Sequence, residues 1–276
     1  MFSKLKNYKI GVALSGGGAK GIAHLGVLKA LEDRDIHIDM ISGVSAGGLI
    51  GALYADGHTP EDICKFIQKS NLFKMVSLTM PTKGGLTTMS DFKRFIGKKL
   101  KAKTFEELKI PFYVNATDLN SGTNVYFHSG ELLEKLIASA SVPLFFRPTI
   151  IDGKMFVDGG FFCNMPASIL RYNGCDLVIG VHVNPINQQD EIDGFWSVAE
   201  RVFHLAINGN TIEQKKYCDI VIETEEAQKY GMFEAEKADE LFTIGYESAI
   251  AALDKFDWDE YMTRRKISTP YINNNL

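Results

Sequence analysis

Cysteine is scarce and scattered: Cys64, Cys163, Cys175 and Cys218 are far apart, and no Cys-x-x-Cys pair or other metal-binding pattern appears. Even parity would permit disulfides, but the chain lacks the apolar core of a secretory signal, so reduced thiols in the cytoplasm are expected. No apolar run approaches the roughly 18 residues that would span a bilayer. Charge of neither sign dominates: 30 Lys and Arg face 34 Asp and Glu, a net −4. That balance gives no global support for nucleic-acid binding. A Gly-Lys-Ser/Thr tripeptide is also missing, which removes a P-loop. Linkers, repeats and low-complexity tracts are absent apart from the polar tail Asn273-Asn274-Asn275.

What is present is a chain of 276 residues, 45% hydrophobic. That length suits one or two domains, and an α/β fold often runs this long as one, burying about 75% of the surface its unfolded chain exposes. Gly43-Val44-Ser45-Ala46-Gly47 is its most informative stretch. Gly-x-Ser-x-Gly at a strand-to-helix turn lifts a serine hydroxyl clear of a sheet. The flanks fit: His37 to Ser42 reads as a short strand, and Gly48 to Tyr54 as the start of a small-residue helix. Ser45 is therefore the candidate nucleophile, although the pentapeptide alone also describes ordinary tight turns.

Tyr8 to Leu14 is an apolar run of strand length, followed by Ser15-Gly16-Gly17-Gly18-Ala19-Lys20-Gly21 and a helix from about Ile22 to Asp33. With the elbow after it, this is a βαβ-like unit and predicts a parallel sheet. Thr59-Pro60-Glu61-Asp62 opens a further helix with a hydroxyl cap, proline and two acids. Strands are expected at Pro111 to Asp118, Asn124 to His128, Met155 to Val157, Asp176 to Val183 and Asp219 to Glu223. Helices are expected at Glu131 to Ala140, Phe195 to Tyr217 and Ala235 to Phe256, with 258–276 as a tail. Residues 72–103 stand apart as a candidate mobile cap or membrane-facing segment, with Phe73, Met75 and Met80 near its start. Between Ser90 and Lys103, six basic residues would suit an anionic membrane surface. The plainer reading, which we favour, is a solvated helix packed through Phe92, Phe95 and Leu100.

A serine esterase needs a base and oxyanion donors beside its nucleophile. Gly16, Gly17 and Gly18 can turn bare N–H groups inward near a helix N-terminus, and the N–H of Ala46 is a further donor. Gly16, Gly18 and Gly21 also match a dinucleotide fingerprint in form, but Asp39 is badly placed for the ribose-binding acid. Ser45 on the next strand favours oxyanion binding. Asp158, in Val157-Asp158-Gly159-Gly160, is a candidate base whose motif also fits a β-turn. A Ser-Asp-His triad could instead use His182 or His204, but both sit among apolar residues as structural histidines do. His24 and His128 have no stronger claim.

Together these motifs resemble the patatin-like phospholipases, particularly small bacterial members. The likeness runs over about residues 8–255 and includes Ala138 to Pro143, Asn164-Met165-Pro166 and Cys218 to Ile222. It implies one α/β domain over 1–276: a three-layer sandwich with a mainly parallel sheet and helices on both faces. It also implies a Ser–Asp dyad of Ser45 and Asp158, an oxyanion hole at Gly16 to Gly18, and a charge-complementing Lys20 where many members have arginine. The elbow has valine where Gly-Thr-Ser is more frequent. The activity implied is cofactor-free acyl transfer from lipid esters, most of all phospholipids, through an acyl-enzyme. A peripheral site at the inner membrane face is compatible with it. A carboxylesterase of small soluble esters and a non-catalytic binding protein are the alternatives, and oligomeric state stays open.

Overall fold

Ile10–Leu14 (β1) buries all five of its side chains. The reason is that the sheet is covered on both faces, the condition that makes strand sequences nearly continuous in apolar residues. Val12 and Leu14 join the larger core with Leu25 and Leu28 of α1 (Ala23–Asp33). Ala13 points the other way, against Met165 and Leu170. The computed structural model describes residues 5, 8–70, 89–143, 145–186, 192–231 and 235–268.

After β1 come β2 (Met40–Gly43), β3 (Phe112–Asp118), β4 (Thr123–Phe127), β5 (Thr149–Ile151), β6 (Lys154–Asp158), β7 (Leu177–His182) and β8 (Ile220–Glu223). They form one sheet in the order β5-β6-β3-β2-β1-β7-β8, with β4 also on β3. The pairs β1–β2, β1–β7, β2–β3 and β7–β8 are parallel, as expected, and β4, β5 and β6 are antiparallel additions. α1 packs with α8 (Ala238–Lys255) on one face, while α6 (Ala167–Tyr172) lies against β1, β2 and β7 on the other.

The pairing around β3 positions the site. Val114 pairs with Gly43 of β2 and with Phe127 of β4, so these two strands occupy opposite edges of β3. β4 continues along its edge as far as Asp118, and β6 pairs with Ala116, Thr117 and Asp118. β6 therefore takes the lane that β2 leaves at the elbow, running antiparallel to it. The two strands meet at their C-terminal ends, one ending at Gly43 and the other at Asp158.

Several expected boundaries shift. The strand near His37 to Ser42 is Met40–Gly43, and the elbow helix α2 (Ser45–Ala55) starts at the serine itself. A 3-10 turn, Gly18–Ile22, precedes α1. α3 (Pro60–Ser70) has the expected cap, with the Asp62 N–H donating to Thr59 Oγ1 at 3.2 Å. α4 (Ser90–Lys99) buries Phe92, with Leu100 just beyond it, and stacks Phe95 on Phe66 at 4.3 Å between centroids. That is the packed helix favoured from sequence. The rest of the candidate cap, 71–88, lies outside the described residues, as does the 269–276 part of the expected tail. Before it, α9 (Trp258–Ser268) is helical, with Trp258 buried and the Tyr261 hydroxyl donating to the Asp176 carbonyl at 2.6 Å. The remaining helices are α5 (Leu133–Ser139) and α7 (Phe195–Lys215).

Candidate active site

Ser45 stands where β2 gives way to α2, with φ at +52°. A left-handed serine costs on the order of 1–3 kcal/mol and persists only where its surroundings enforce it. Here they do. The Ser45 N–H donates to the buried Ser139 Oγ at 2.9 Å, and a Cβ at Gly47 would lie 2.4 Å from the Ser15 carbonyl oxygen. Glycine alone lets the start of α2 rest on the end of β1.

Asp158 is only 2% exposed. Its backbone is fixed on both sides: its N–H donates to the Ser141 carbonyl at 3.0 Å, and Thr117 Oγ1 donates to its own carbonyl at 3.0 Å. Oδ1 accepts the Gly160 N–H at 2.8 Å as the cap of the 3-10 turn Gly159–Phe161. Oδ2 is buried without a hydrogen-bond partner of good geometry. The Ser45 hydroxyl is nevertheless near enough to favour the ionised carboxyl, as is the Gly160 N–H. Burial outweighs both and pushes the pKa up from 3.8 to about 6.

The glycine loop closes the third side. The Gly16 N–H donates to the Asn164 carbonyl at 3.2 Å, and a Cβ on Gly16 would meet Asn164 Oδ1 at 2.6 Å. Gly17 and Gly18 follow at the head of the 3-10 turn, where N–H groups have no partner within the helix. Beneath the loop, His24 Nε2 donates to the Ser15 carbonyl at 2.8 Å; burial lowers that ring to a pKa of about 4, leaving it neutral. Lys20 is also buried, and its ammonium donates to Asn184 Oδ1 at 2.8 Å.

Ser45, Ala46, Asp158 and the Gly16 to Gly18 loop all line one cleft, which encloses about 970 Å³ including its open mouth. Asn164, Asn184 and His204 complete its polar end. Away from them the wall is apolar: Leu49, Leu53, Phe66, Met89, Phe92 and Ile96 come from or adjoin α2, α3 and α4. Lys20 does not line the cleft; it reaches it through Asn184. His182 does not line it either, since its Nδ1 pairs with Glu223 Oε1 at 3.0 Å at the ends of β7 and β8. His204 does line it, held neutral near pKa 4 by burial and then by the charges of Lys20 and Arg201. Sequence reasoning assigned no role to Ser139, Asn164 or Asn184. Ser139 and Asn164 lay within motifs already noted; Asn184 follows the apolar strand β7 with no local signal at all.

Among the described residues no group of three or more His, Cys, Asp or Glu is placed to hold a metal ion. No described helix is long and apolar enough to cross a membrane.

Comparison with known proteins shows what the chain is similar to. A lysophospholipase NTE1 from Kluyveromyces lactis is 34% identical over 209 residues, covering 71% of this chain and 14% of that protein. A lysophospholipase nte1 from Aspergillus fumigatus is 31% identical over 280 residues, covering 89% of this chain and 18% of that one. The chain thus spans less than a fifth of the length of these relatives. Among solved structures, VipD from Legionella pneumophila shares the fold at 16% identity and a TM-score of 0.54, over 90% of this chain and 67% of that one. Human GIVD cytosolic phospholipase A2, crystallised with a methyl gamma-linolenyl fluorophosphonate inhibitor, aligns with a TM-score of 0.50 at 11% identity, over 94% and 59%. The patatin-like phospholipase family model matches residues 12–171, more than half of the sequence, and the chain belongs to that family.

Proposed function

We propose that this protein is a lipid acyl hydrolase that uses a Ser45–Asp158 dyad, with lysophospholipids as its first candidate substrates. The observation that carries the reading is the cleft: a serine and a buried carboxylate at its polar end, and an apolar arm walled by Leu49, Leu53, Phe66, Phe92 and Ile96, of the kind an acyl chain would occupy. A small soluble ester would leave that arm empty. The names of the fungal relatives point to the same substrate class.

In the proposed reaction Asp158 takes the hydroxyl proton as Ser45 Oγ bonds to the ester carbonyl carbon. The N–H groups of Gly17, Gly18 and Ala46 hold the oxyanion, while Gly16 keeps the loop in place through Asn164. Collapse of the tetrahedral intermediate breaks the ester C–O bond, and the departing alcohol takes the proton from Asp158. Water then attacks the acyl-enzyme with Asp158 again as base, releasing fatty acid. A free aspartate near pKa 3.9 is a poor base at neutral pH, and a value near 6 brings it closer to working range. Lys20 tunes the polar end through Asn184. The exposed basic side chains of α4, Lys98 and Lys99 among them, offer a peripheral contact for anionic headgroups.

Hydrolysis of a chromogenic acyl-ester series tests the reading. Ser45→Ala and Asp158→Asn should each lose at least ~10³-fold in kcat. His182→Ala, if folded, should stay within about tenfold of wild type, because its ring is absent from the cleft. Loss in His182→Ala equal to that in Ser45→Ala would replace the dyad with a triad.

A further inference from the structure

α7 is apolar on two opposite sides. Its inner side is buried, with His204 and Ile207 lining the cleft. Its outer side carries Val198, Val202, Leu205 and Ile212, which remain 47%, 59%, 50% and 55% exposed, and Phe195 at its start is 71% exposed. A helix apolar on both sides belongs in an interior, so its outer side calls for a partner.

The spacing of that outer side says what kind of partner. Phe195, Val198, Val202, Leu205, Gly209 and Ile212 follow one another in steps of three, four, three, four and three. This is the narrow stripe that seats against another helix, running about 26 Å. The pattern reads the same from both ends. An antiparallel second copy of α7 would therefore set Val202 against Leu205, Phe195 against Ile212, and Val198 over Gly209. A Cβ built on Gly209 finds nothing within 4 Å, so there is room for the valine. The same arrangement brings Asp193, just before α7, close to Lys216, just after it, at each end of the seam.

Area and charge agree. The stripe, with the exposed Phe161 and Phe162 beside it, presents on the order of 500–700 Å² of apolar surface, near the ~800 Å² per partner of a stable dimer. The Asn210 side chain donates to the Phe161 carbonyl at 3.1 Å, which holds that turn beside α7. A helix lying on a membrane usually carries lysine and arginine along its polar face. α7 instead mixes its signs, with Glu213 beside Lys215.

We propose that the chain forms a two-fold dimer through α7, packed antiparallel about a point between residues 203 and 204. The second copy would cover the outside of the helix whose inside walls the cleft.

Size-exclusion chromatography with light scattering on the 276-residue protein tests this. Wild type should run at twice the 30.7 kDa chain mass. Val202→Glu and Leu205→Lys should each be monomeric at the same concentration, with unchanged circular dichroism. Mixed in equal amounts they should dimerise again, because position 202 of one copy faces 205 of the other. Wild type at the single-chain mass would overturn the proposal, and so would dimeric single variants. Failure of folded variants to pair on mixing would overturn the antiparallel register. A monomeric wild type that binds phosphatidylcholine vesicles, and loses them with Val202→Glu, would reassign the stripe to a lipid surface.

Discussion

At the scale of single residues, the burial that would fit Asp158 to act as a base also carries a cost. Its pKa rises from 3.8 to about 6 because burial penalises the charge. A folded-state value above the unfolded one means the native state holds the proton more tightly. The stabilising contribution is complete below about pH 3.8 and is lost as pH climbs through 6. Above that, an ionised Asp158 costs the fold on the order of 3 kcal/mol. Asparagine keeps the acceptor for the Gly160 N–H without the charge. Asp158→Asn should therefore melt at or above wild type at pH 8, with the difference fading towards pH 4, even though the proposed dyad predicts loss of its activity. Thermal unfolding at both pH values checks this. An asparagine variant less stable than wild type at pH 8 would mean the ionised carboxylate is well solvated by its surroundings.

At the scale of elements, α2 serves both ends of the cleft. It starts at Ser45 and carries Leu49 and Leu53 along the apolar arm, about 12 Å from Ser45 to Leu53 at 1.5 Å per residue. Leu53→Trp should shorten that arm. Dodecanoyl esters should then lose about tenfold or more in kcat/KM, while butyryl esters change little. Equal loss on both would show that the chain does not lie along α2. The elbow was legible in sequence because its constraints are local: glycines where backbones touch, a serine between strand and helix. The lane shared by β2 and β6 was not, because strand neighbours are set by pairing between distant segments. Asp152-Gly153 between Ile151 and Lys154 is a hairpin turn signal, and both residues have positive φ. It would have given β5 and the antiparallel direction of β6, and so the approach of Asp158.

At the scale of the molecule, the sheet and its class followed from apolar runs such as Leu177 to His182, which only a doubly covered strand sustains. Periodicity could not say which side of α7 is buried, since Val202 and Ile207 are equally apolar on opposite sides. Nor did it reveal α9, anchored by Trp258 through its Nε1–H to the Leu253 carbonyl at 3.0 Å. What the whole fold achieves is to bring two strand ends and a glycine loop to one polar corner of an apolar cleft. The most direct test of that convergence is covalent labelling with an alkyl fluorophosphonate, read by intact mass and peptide mapping. One adduct is expected, on Ser45, formed far more slowly in Asp158→Asn. An adduct elsewhere, or an Asp158→Asn protein that labels at the wild-type rate, would contradict it.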